Sequence, residues 1–294
     1  MSSGDTGDPF VTHRSLLFTV AYEVLGSAAD AEDVVQETWL RWADVDQAEV
    51  RDPRAYLVRI VTRQALNRLR TMARRREEYV GEWLPEPLLT SPDVAEDVEL
   101  AESVSMAMLT VLETLGPTER AVFVLREAFA VPYDEIAEAV GKSSAAVRQV
   151  ARRARTHVDA RRPRMEVSRS EQQEVVERFL RAMTTGDVQG LLEVLAPDVL
   201  VVADGGGVVS AIRVPIVGAQ PISRALARFA KIAPAGMTSA PARVNGGPGV
   251  RLEVDGVLDT AISLVIEGGL ITRIYAVRNP SKLTRLEQET RLTR

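Results

Sequence analysis

The chain has 294 residues, 46% hydrophobic and 26% charged, with a formal net charge of −5. This length admits two or three separately cored domains, the proportions exclude wholesale disorder, and no apolar run approaches the roughly 20 residues of a membrane span. Cysteine is absent, which removes disulfides, thiol nucleophiles and Cys-ligated zinc, and the start MSSGDTGDPF carries acids where a leader would carry a basic flank; a soluble, cytoplasmic chain without membrane association is expected.

Net acidity disfavours a phosphate-rich partner, but the charges are unevenly spread. Five arginines and no acid lie between Arg68 and Arg76, and seven arginines face one acid, Asp159, between Arg148 and Arg164. In chain order, the segment 12–76 has helical spacing. Within AADAEDVVQETWLRW (28–42), Val34, Val35, Thr38, Trp39 and Trp42 form one broad apolar face, with both tryptophans expected as core anchors. Asp30, Asp33, Gln36, Glu37 and Arg41 occupy the other face. Such an acidic stripe suits a basic protein partner, although a solvated face would carry the same residues. The helix PRAYLVRIVTRQALNRLR (53–70) is predicted to bury Leu57, Ile60, Val61, Ala65 and Leu69. Arg59, Arg63, Asn67 and Arg70 form its outward row, a candidate DNA surface. Between these helices, ADVDQAEVRD (43–52) is a polar loop that could be a plain connector or could cradle an unpaired base.

From 77 to 98 the sequence includes EEYVGEWLPEPLLTSPDV, where Pro85, Pro87 and Pro92 forbid a continuous helix. A flexible proline-containing linker is predicted, with Trp83, Pro85 and Pro87 able to serve as a rigid apolar plug. Helical spacing returns from 99 to 162. LGPTERAVFVLREAFA (115–130) reads as a supporting helix begun by Pro117 near a Thr118 cap. The strongest local signal follows in VPYDEIAEAVGKSSAAVRQVARRARTHV (131–158). Ile136, Ala137 and Val140 give one helix its buried face, Gly141 turns the chain, and Ser143 caps a second helix with Val147, Val150, Ala151 and Ala154 inside. This is a helix-turn-helix pattern. Ser144, Ala145, Arg148, Gln149, Arg152 and Arg153 are left outside, with arginine suited to guanine or phosphate and glutamine to adenine.

After Pro163 the character becomes α+β. A helix is predicted over Ser168–Met183, a short one over Val188–Leu195 and another near Pro221–Ile232, with β-branched runs at Val199–Val202, Val250–Val254, Ile262–Ile266 and Leu270–Val277. From residue 166 onward there is no His, Cys or Trp, and Tyr275 is the only tyrosine, so Asp204 and Asp259 are the remaining candidates for a general base. Asp204-Gly205-Gly206-Gly207 reads more economically as a strand-ending turn. In NPSKL, Asn279 and Ser281 can cap a helix, Pro280 ends a strand, and Lys282 can reach a carboxylate. No metal site and no cofactor are expected.

DAEDVVQETWLRW, DPRAYLVRIVTRQALNRLR, LGPTERAVFVLRE and the helix-turn-helix ending AVRQVARRARTHV together resemble regions two and four of an extracytoplasmic-function (group IV) sigma factor. The linker YVGEWLPEPL (79–88), DGGG (204–207) and NPSKL (279–283) resemble the sigma J-like subgroup with a fused SnoaL-like C-terminal domain. That subgroup often carries a basic residue after DGGG, where Val208 stands here. The resemblance implies two all-α helical domains, sigma region two at 10–76 and sigma region four at 99–162, joined by the linker 77–98. An α+β SnoaL-like cone at 168–294 follows as a regulatory domain with a C-terminal tail. It further implies that Asp33, Gln36 and Glu37 meet core RNA polymerase. Arg59, Arg63, Asn67 and Arg70 would serve the minus-ten element of promoter DNA, and Ser144, Arg148, Gln149, Arg152 and Arg153 the minus-thirty-five element. Trp83, Leu84, Pro85, Asp204, Gly205, Gly206, Gly207, Asn279, Pro280, Lys282 and Leu283 would form an intramolecular regulatory interface with no catalytic role. Two other classes stay open at this level: an isomerase- or cyclase-type enzyme in the C-terminal domain, and a dimeric helix-turn-helix repressor.

Overall fold

The computed structural model describes residues 8–77, 79–91, 94, 97–162, 168–286 and 289–294. Pro92, Pro163 and Arg164, and the side chains of Arg74, Arg75 and Arg76, lie outside the described residues. Two compact units emerge: a helical one from the described parts of 1–77, 111–161 and 291–294, and a sheet-containing one from those of 78–110 and 162–290.

The helical unit begins with α1 (Pro9–Leu25), α2 (Ala28–Ala43) and α3 (Pro53–Glu77), with a 3₁₀ turn at Gln47–Glu49. Asp8 caps α1 by accepting from the Phe10 amide at 2.9 Å, and it also accepts from the buried indole of Trp42 at 3.1 Å. Val34, Val35, Thr38 and Trp42 are buried as their spacing predicts. Trp39 is not: it is 45% exposed, which corrects its expected place in the core. At 3.6 residues per turn Val34, Val35, Thr38 and Trp42 fall within a sector of about 100°, and Trp39 lies about 40° beyond its edge. On α3, Leu57, Val61, Ala65 and Leu69 are buried and Ile60 half-buried.

The second part of this unit contains α6 (Pro117–Phe123), a π turn at Val124–Ala128, α7 (Tyr133–Val140) and α8 (Ser144–Asp159). Gly116, not Thr118, is the N-cap of α6, and the Glu119 carboxylate accepts from its amide at 3.3 Å. On α6, Arg120 is buried, with Nε donating to the Glu23 carbonyl at 2.9 Å and a guanidinium N–H to Glu113 at 2.6 Å. Burial pulls its pKa down to about 9, still above neutrality, so a charged group sits inside this bundle. The turn between α7 and α8 uses Gly141 at φ +68 and a Ser143 side chain accepting from Ala146 N. Ile136, Ala137 and Ala139 are the buried residues of α7, with Val140 only half-buried.

The sheet-containing unit has α4 (Val98–Ser103) and the start of α5 (Met106–Leu112), then α9 (Arg169–Thr185), α10 (Val188–Val194), α11 (Ala219–Ile232) and α12 (Pro280–Leu283). Its strands are β1 (Leu195–Asp204), β2 (Ile216–Val217), β3 (Met237–Val244), β4 (Gly247–Val254), β5 (Val257–Glu267) and β6 (Leu270–Val277), in the order β2-β1-β6-β5-β4-β3. Of the five pairings among these strands, β1–β6 alone is parallel, and register shifts in three of them bend the strands. This is the α+β domain the sequence predicts. Alternation along the strands makes two cores. One face carries Val199, Val201, Leu264 and Ile274 against Phe179, Met183, Leu191 and Ile222 of the helices. The other carries Val202, Val265, Tyr275 and Val277 with Leu84, Met106, Ala107 and Leu283.

Candidate nucleic-acid interface and linker dock

Helix α8 separates its two chemistries cleanly. Val147, Val150, Ala151, Ala154 and Val158 are buried, while Arg148, Gln149, Arg152 and Arg153 are exposed at its start and middle, with Ser144 half-buried. Arg148 holds its guanidinium over the Tyr133 ring at 5.6 Å, and Ser144 hydrogen-bonds Asp134. Arg153 makes only a long pair with Glu119, at 3.8 Å. Ring stacking leaves the edge of an arginine's fork available to an acceptor, because a cation–π contact uses its face.

On α3, Arg63, Asn67 and Arg70 are exposed and Arg59 is partly so. Arg59 lies over the Tyr56 ring at 5.1 Å and pairs with Glu138 at 2.9 Å; Arg63 donates to the Glu138 carbonyl at 2.7 Å. A cleft of about 460 Å³ adjoins them, lined by Asp46, Glu49 and Asp52 of the 43–52 loop and by Glu135 and Glu138 of α7. Asp33, Gln36 and Glu37 are all exposed on α2. Arg68 donates to Asp30 at 2.6 Å and to Asp33 at 2.5 Å, and Gln64 donates to Glu37 at 2.9 Å. The hydrogen bond to Asp30, against the opposing effect of burial, raises the Arg68 pKa.

In the sheet-containing unit, most of the residues singled out in the linker, DGGG and NPSKL converge on one buried carboxylate. Asp204, at the end of β1, is fully buried. It accepts from Lys282 Nζ at 2.7 Å, the Leu84 amide at 3.0 Å, the Gly206 amide at 3.0 Å and the Tyr79 hydroxyl at 2.5 Å. Its backbone carbonyl also accepts from the amides of Arg278 and Asn279. Burial, followed by the bond to Asp204, pushes the Tyr79 hydroxyl far above the usual phenol value, so it remains a donor. The Lys282 ammonium also donates to the Leu84 carbonyl and sits 3.3 Å from the Trp83 ring centroid. Asn279 caps α12 by accepting from the Ser281 amide, and its Nδ2 donates to the Tyr79 oxygen at 2.8 Å. The segment expected as a flexible linker is thus held: Leu84, Pro85, Glu86, Pro87 and Leu88 are buried, and Leu84 completes the second core of the sheet, with the half-buried Leu89 packed against it.

Close approach explains the glycines. Gly206 and Gly207 have φ of +63 and +71, and a Cβ at Gly206 would meet Asn279 Nδ2 at 2.4 Å, while one at Gly207 would meet Val80 at 2.8 Å. Val208 is 75% exposed, so the position that is often basic in the resembled subgroup faces solvent here. Gly206→Ala is expected to cost about 1–2 kcal/mol for the left-handed backbone alone and to displace Asn279. Chymotryptic cleavage at Tyr79 or Trp83 in the intact chain should accelerate, and an unchanged rate would contradict this account of the turn.

Some of the residues that matter here carry signals the motifs did not highlight. Asn245 and Gly246 both have positive φ, at 55 and 72, in the Asn-Gly geometry of a tight hairpin. Asn245 exchanges bonds with Leu88, donates through Nδ2 to the Val104 carbonyl at 2.9 Å, and is followed by a Gly246 amide bound to Thr90. The hairpin tip therefore grips the linker and the end of α4. The chain's last residues return to the helical unit, where Leu292 is buried and the Thr293 amide donates to Thr19 Oγ1 at 3.2 Å. Asp259 is held instead by two N–H groups on one edge of the Arg278 guanidinium, at 2.9 and 3.2 Å. Burial opposes its ionisation, but Arg278 and Thr260 prevail and lower its pKa.

Residues 10–76 match the family Sigma-70 region 2, and residues 105–158 match Sigma-70, region 4. The first residues of the second match, 105–110, belong to the sheet-containing unit. Over 288 residues, 94% of this chain and 92% of the relative, the chain is 37% identical to the ECF RNA polymerase sigma factor SigJ of Mycobacterium tuberculosis. It is 33% identical over 280 residues to a probable ECF RNA polymerase sigma factor, SigI, of the same species, with 94% of each covered. The crystal structure of the M. tuberculosis SigJ matches with a TM-score of 0.76 at 35% identity, over 95% of this chain and 98% of that one.

Proposed function

The chain belongs to the extracytoplasmic-function sigma factors, and from that premise we propose how its parts divide the work of promoter-specific initiation. Sigma factors bring RNA polymerase to promoter DNA; this chain's α8 would read the upstream element through Arg148, Gln149 and Arg152, with Ser144 and Arg153 on flanking phosphates. The outward row Arg59, Arg63, Asn67 and Arg70, with the 43–52 loop, would engage the minus-ten element. The acidic face of α2, through Asp33, Gln36 and Glu37, would meet a basic surface of the core enzyme, with the exposed Trp39 beside them as an apolar anchor. The observation that carries this reading is the division of α8 into a sealed apolar face and an exposed Arg/Gln face in a helix-turn-helix.

The sheet-containing unit would act as a regulator in cis. It holds the linker through Asp204, Lys282 and Trp83, holds the beginning of region four through Asn245, and is followed by the tail 291–294 that packs in the helical unit. Changes in that unit would therefore reach both DNA-reading parts through the chain itself. An enzymatic reading has less support: Asp204 accepts from four donors, and both it and Tyr275 belong to the face covered by the linker, away from the core beneath the helices. The test is run-off transcription by purified chain with core polymerase. Asp33→Arg with Glu37→Arg should lower affinity for the core enzyme by about tenfold or more, measured by competition against the unmodified chain. Equal affinity would remove α2 from the polymerase contact, and failure of the unmodified chain to direct initiation would defeat the whole reading.

A further inference from the structure

The carboxylate and the carbonyl that engage Arg59 and Arg63 come from one residue at one helix end. Glu138 stands in the last turn of α7. The amides of Gly141 and Lys142 both turn back to the Ala137 carbonyl, so neither serves the carbonyl of Glu138. Arg63 takes that carbonyl at 2.7 Å, and Arg59 takes the Glu138 carboxylate at 2.9 Å. A helix C-terminus carries a partial negative charge from its unpaired carbonyls. Together with the side chain, it presents oxygen acceptors of both kinds to two neighbouring guanidiniums, as a strand phosphate would.

The adjoining cleft carries the same sign. Of its lining residues, Asp46, Glu49, Asp52, Glu135 and Glu138 are acidic against Arg51 and Arg59. A phosphate entering there meets carboxylates, and Arg59 and Arg63 already have acceptors. We propose that the C-terminal turn of α7 is a built-in phosphate mimic, which occupies the minus-ten surface of α3 and lowers the affinity of the free chain for single-stranded DNA. The proposal rests on the reading of Arg59 and Arg63 as DNA contacts.

The strength of the device follows from its exposure. The Glu138 side chain is 64% exposed and that of Arg59 35%, and an exposed ion pair is weak in water. Such a contact tunes affinity and yields to a competing polyanion; it does not lock the surface. Arg120, buried between α1 and α6, is the firmer tie within this unit.

The test uses the full chain and a fluorescein-labelled single-stranded oligonucleotide of about 15 nucleotides in mixed sequence, followed by anisotropy at constant low salt, because phosphate contacts are sequence-independent. Glu138→Gln should tighten binding about two- to fivefold, the range open to one exposed pair. Glu174→Gln, which removes the same charge from an exposed position of α9, should leave the affinity unchanged. The gain should vanish when Glu138→Gln is made together with Arg59→Ala. No gain, a gain matched by Glu174→Gln, or a gain that survives in the Arg59→Ala background would each overturn the mimic while leaving the DNA surface intact. If Arg59→Ala and Arg63→Ala have no effect of their own, the assignment of α3 to DNA fails, and the mimic fails with it.

Discussion

Lys282→Met is expected to destabilise the sheet-containing unit by about 3–5 kcal/mol, the cost of leaving one partner of a buried pair uncompensated. The lysine side chain is 8% exposed and that of Asp204 fully covered, with Nζ and the carboxylate 2.7 Å apart. Without the ammonium, Asp204 retains three uncharged donors: the Tyr79 hydroxyl and the amides of Leu84 and Gly206. Hydrogen bonds from neutral groups stabilise a carboxylate, but they do not cancel its charge in a dry site. The Leu84 carbonyl and the Trp83 ring lose their cation at the same step. Asp204→Asn added to Lys282→Met should recover part of the loss, since the double change buries no net charge. Urea unfolding of the four members of this cycle measures the coupling. A loss below about 1 kcal/mol in the single variant would mean that the ammonium escapes to water and that the linker is not held by charge.

This dock also marks where reading the sequence reached its limit. DGGG was legible as a turn because Asp and Gly have local reasons to be there, and NPSKL as a helix start because Asn and Pro do. Their meeting with Trp83 and Leu84 depends on strand pairing: β1 and β6 lie side by side and parallel, so Asp204 stands level with Val277, two residues before Asn279. Pairing between strands so far apart in the chain has no local sequence mark. The proline-rich segment misled in the same way: Pro85 and Pro87 exclude a helix, yet they leave the neighbouring Leu84 free to cover an apolar sheet face. The edge strand β3 was missed because Pro241 interrupts its pattern, which an edge position tolerates. On α8, by contrast, the inward and outward faces could be read directly, because helix spacing alone decides them. The Glu138 contact with α3 was not legible either: its acid looks like any solvated residue until the packing of α7 on α3 is known.

Arg148→Ala combined with Arg152→Ala should abolish discrimination between the cognate upstream element and a scrambled one. A well-placed arginine fork on a base edge contributes about 1–3 kcal/mol of discrimination, which is roughly five- to over a hundredfold per contact. Helix α8 supports this separation of roles because neither side chain serves the core: both are exposed, while Val147 before them and Val150 and Ala151 between them are buried. The double variant should therefore keep its fold, and circular dichroism should show it with the helicity of the parent. The Tyr133 ring under Arg148 predicts a difference between the two positions. Arg148→Lys keeps the charge but loses the planar stack and the fork, so it should discriminate poorly, whereas lysine at a position that holds only phosphate should remain active. Run-off transcription with core polymerase, from the intact promoter and from one with its upstream element scrambled, measures the ratio directly. If the double alanine variant lowers transcription equally from both templates and flattens the salt dependence by about two counter-ions, these arginines hold the DNA backbone. Base reading would then fall to Gln149.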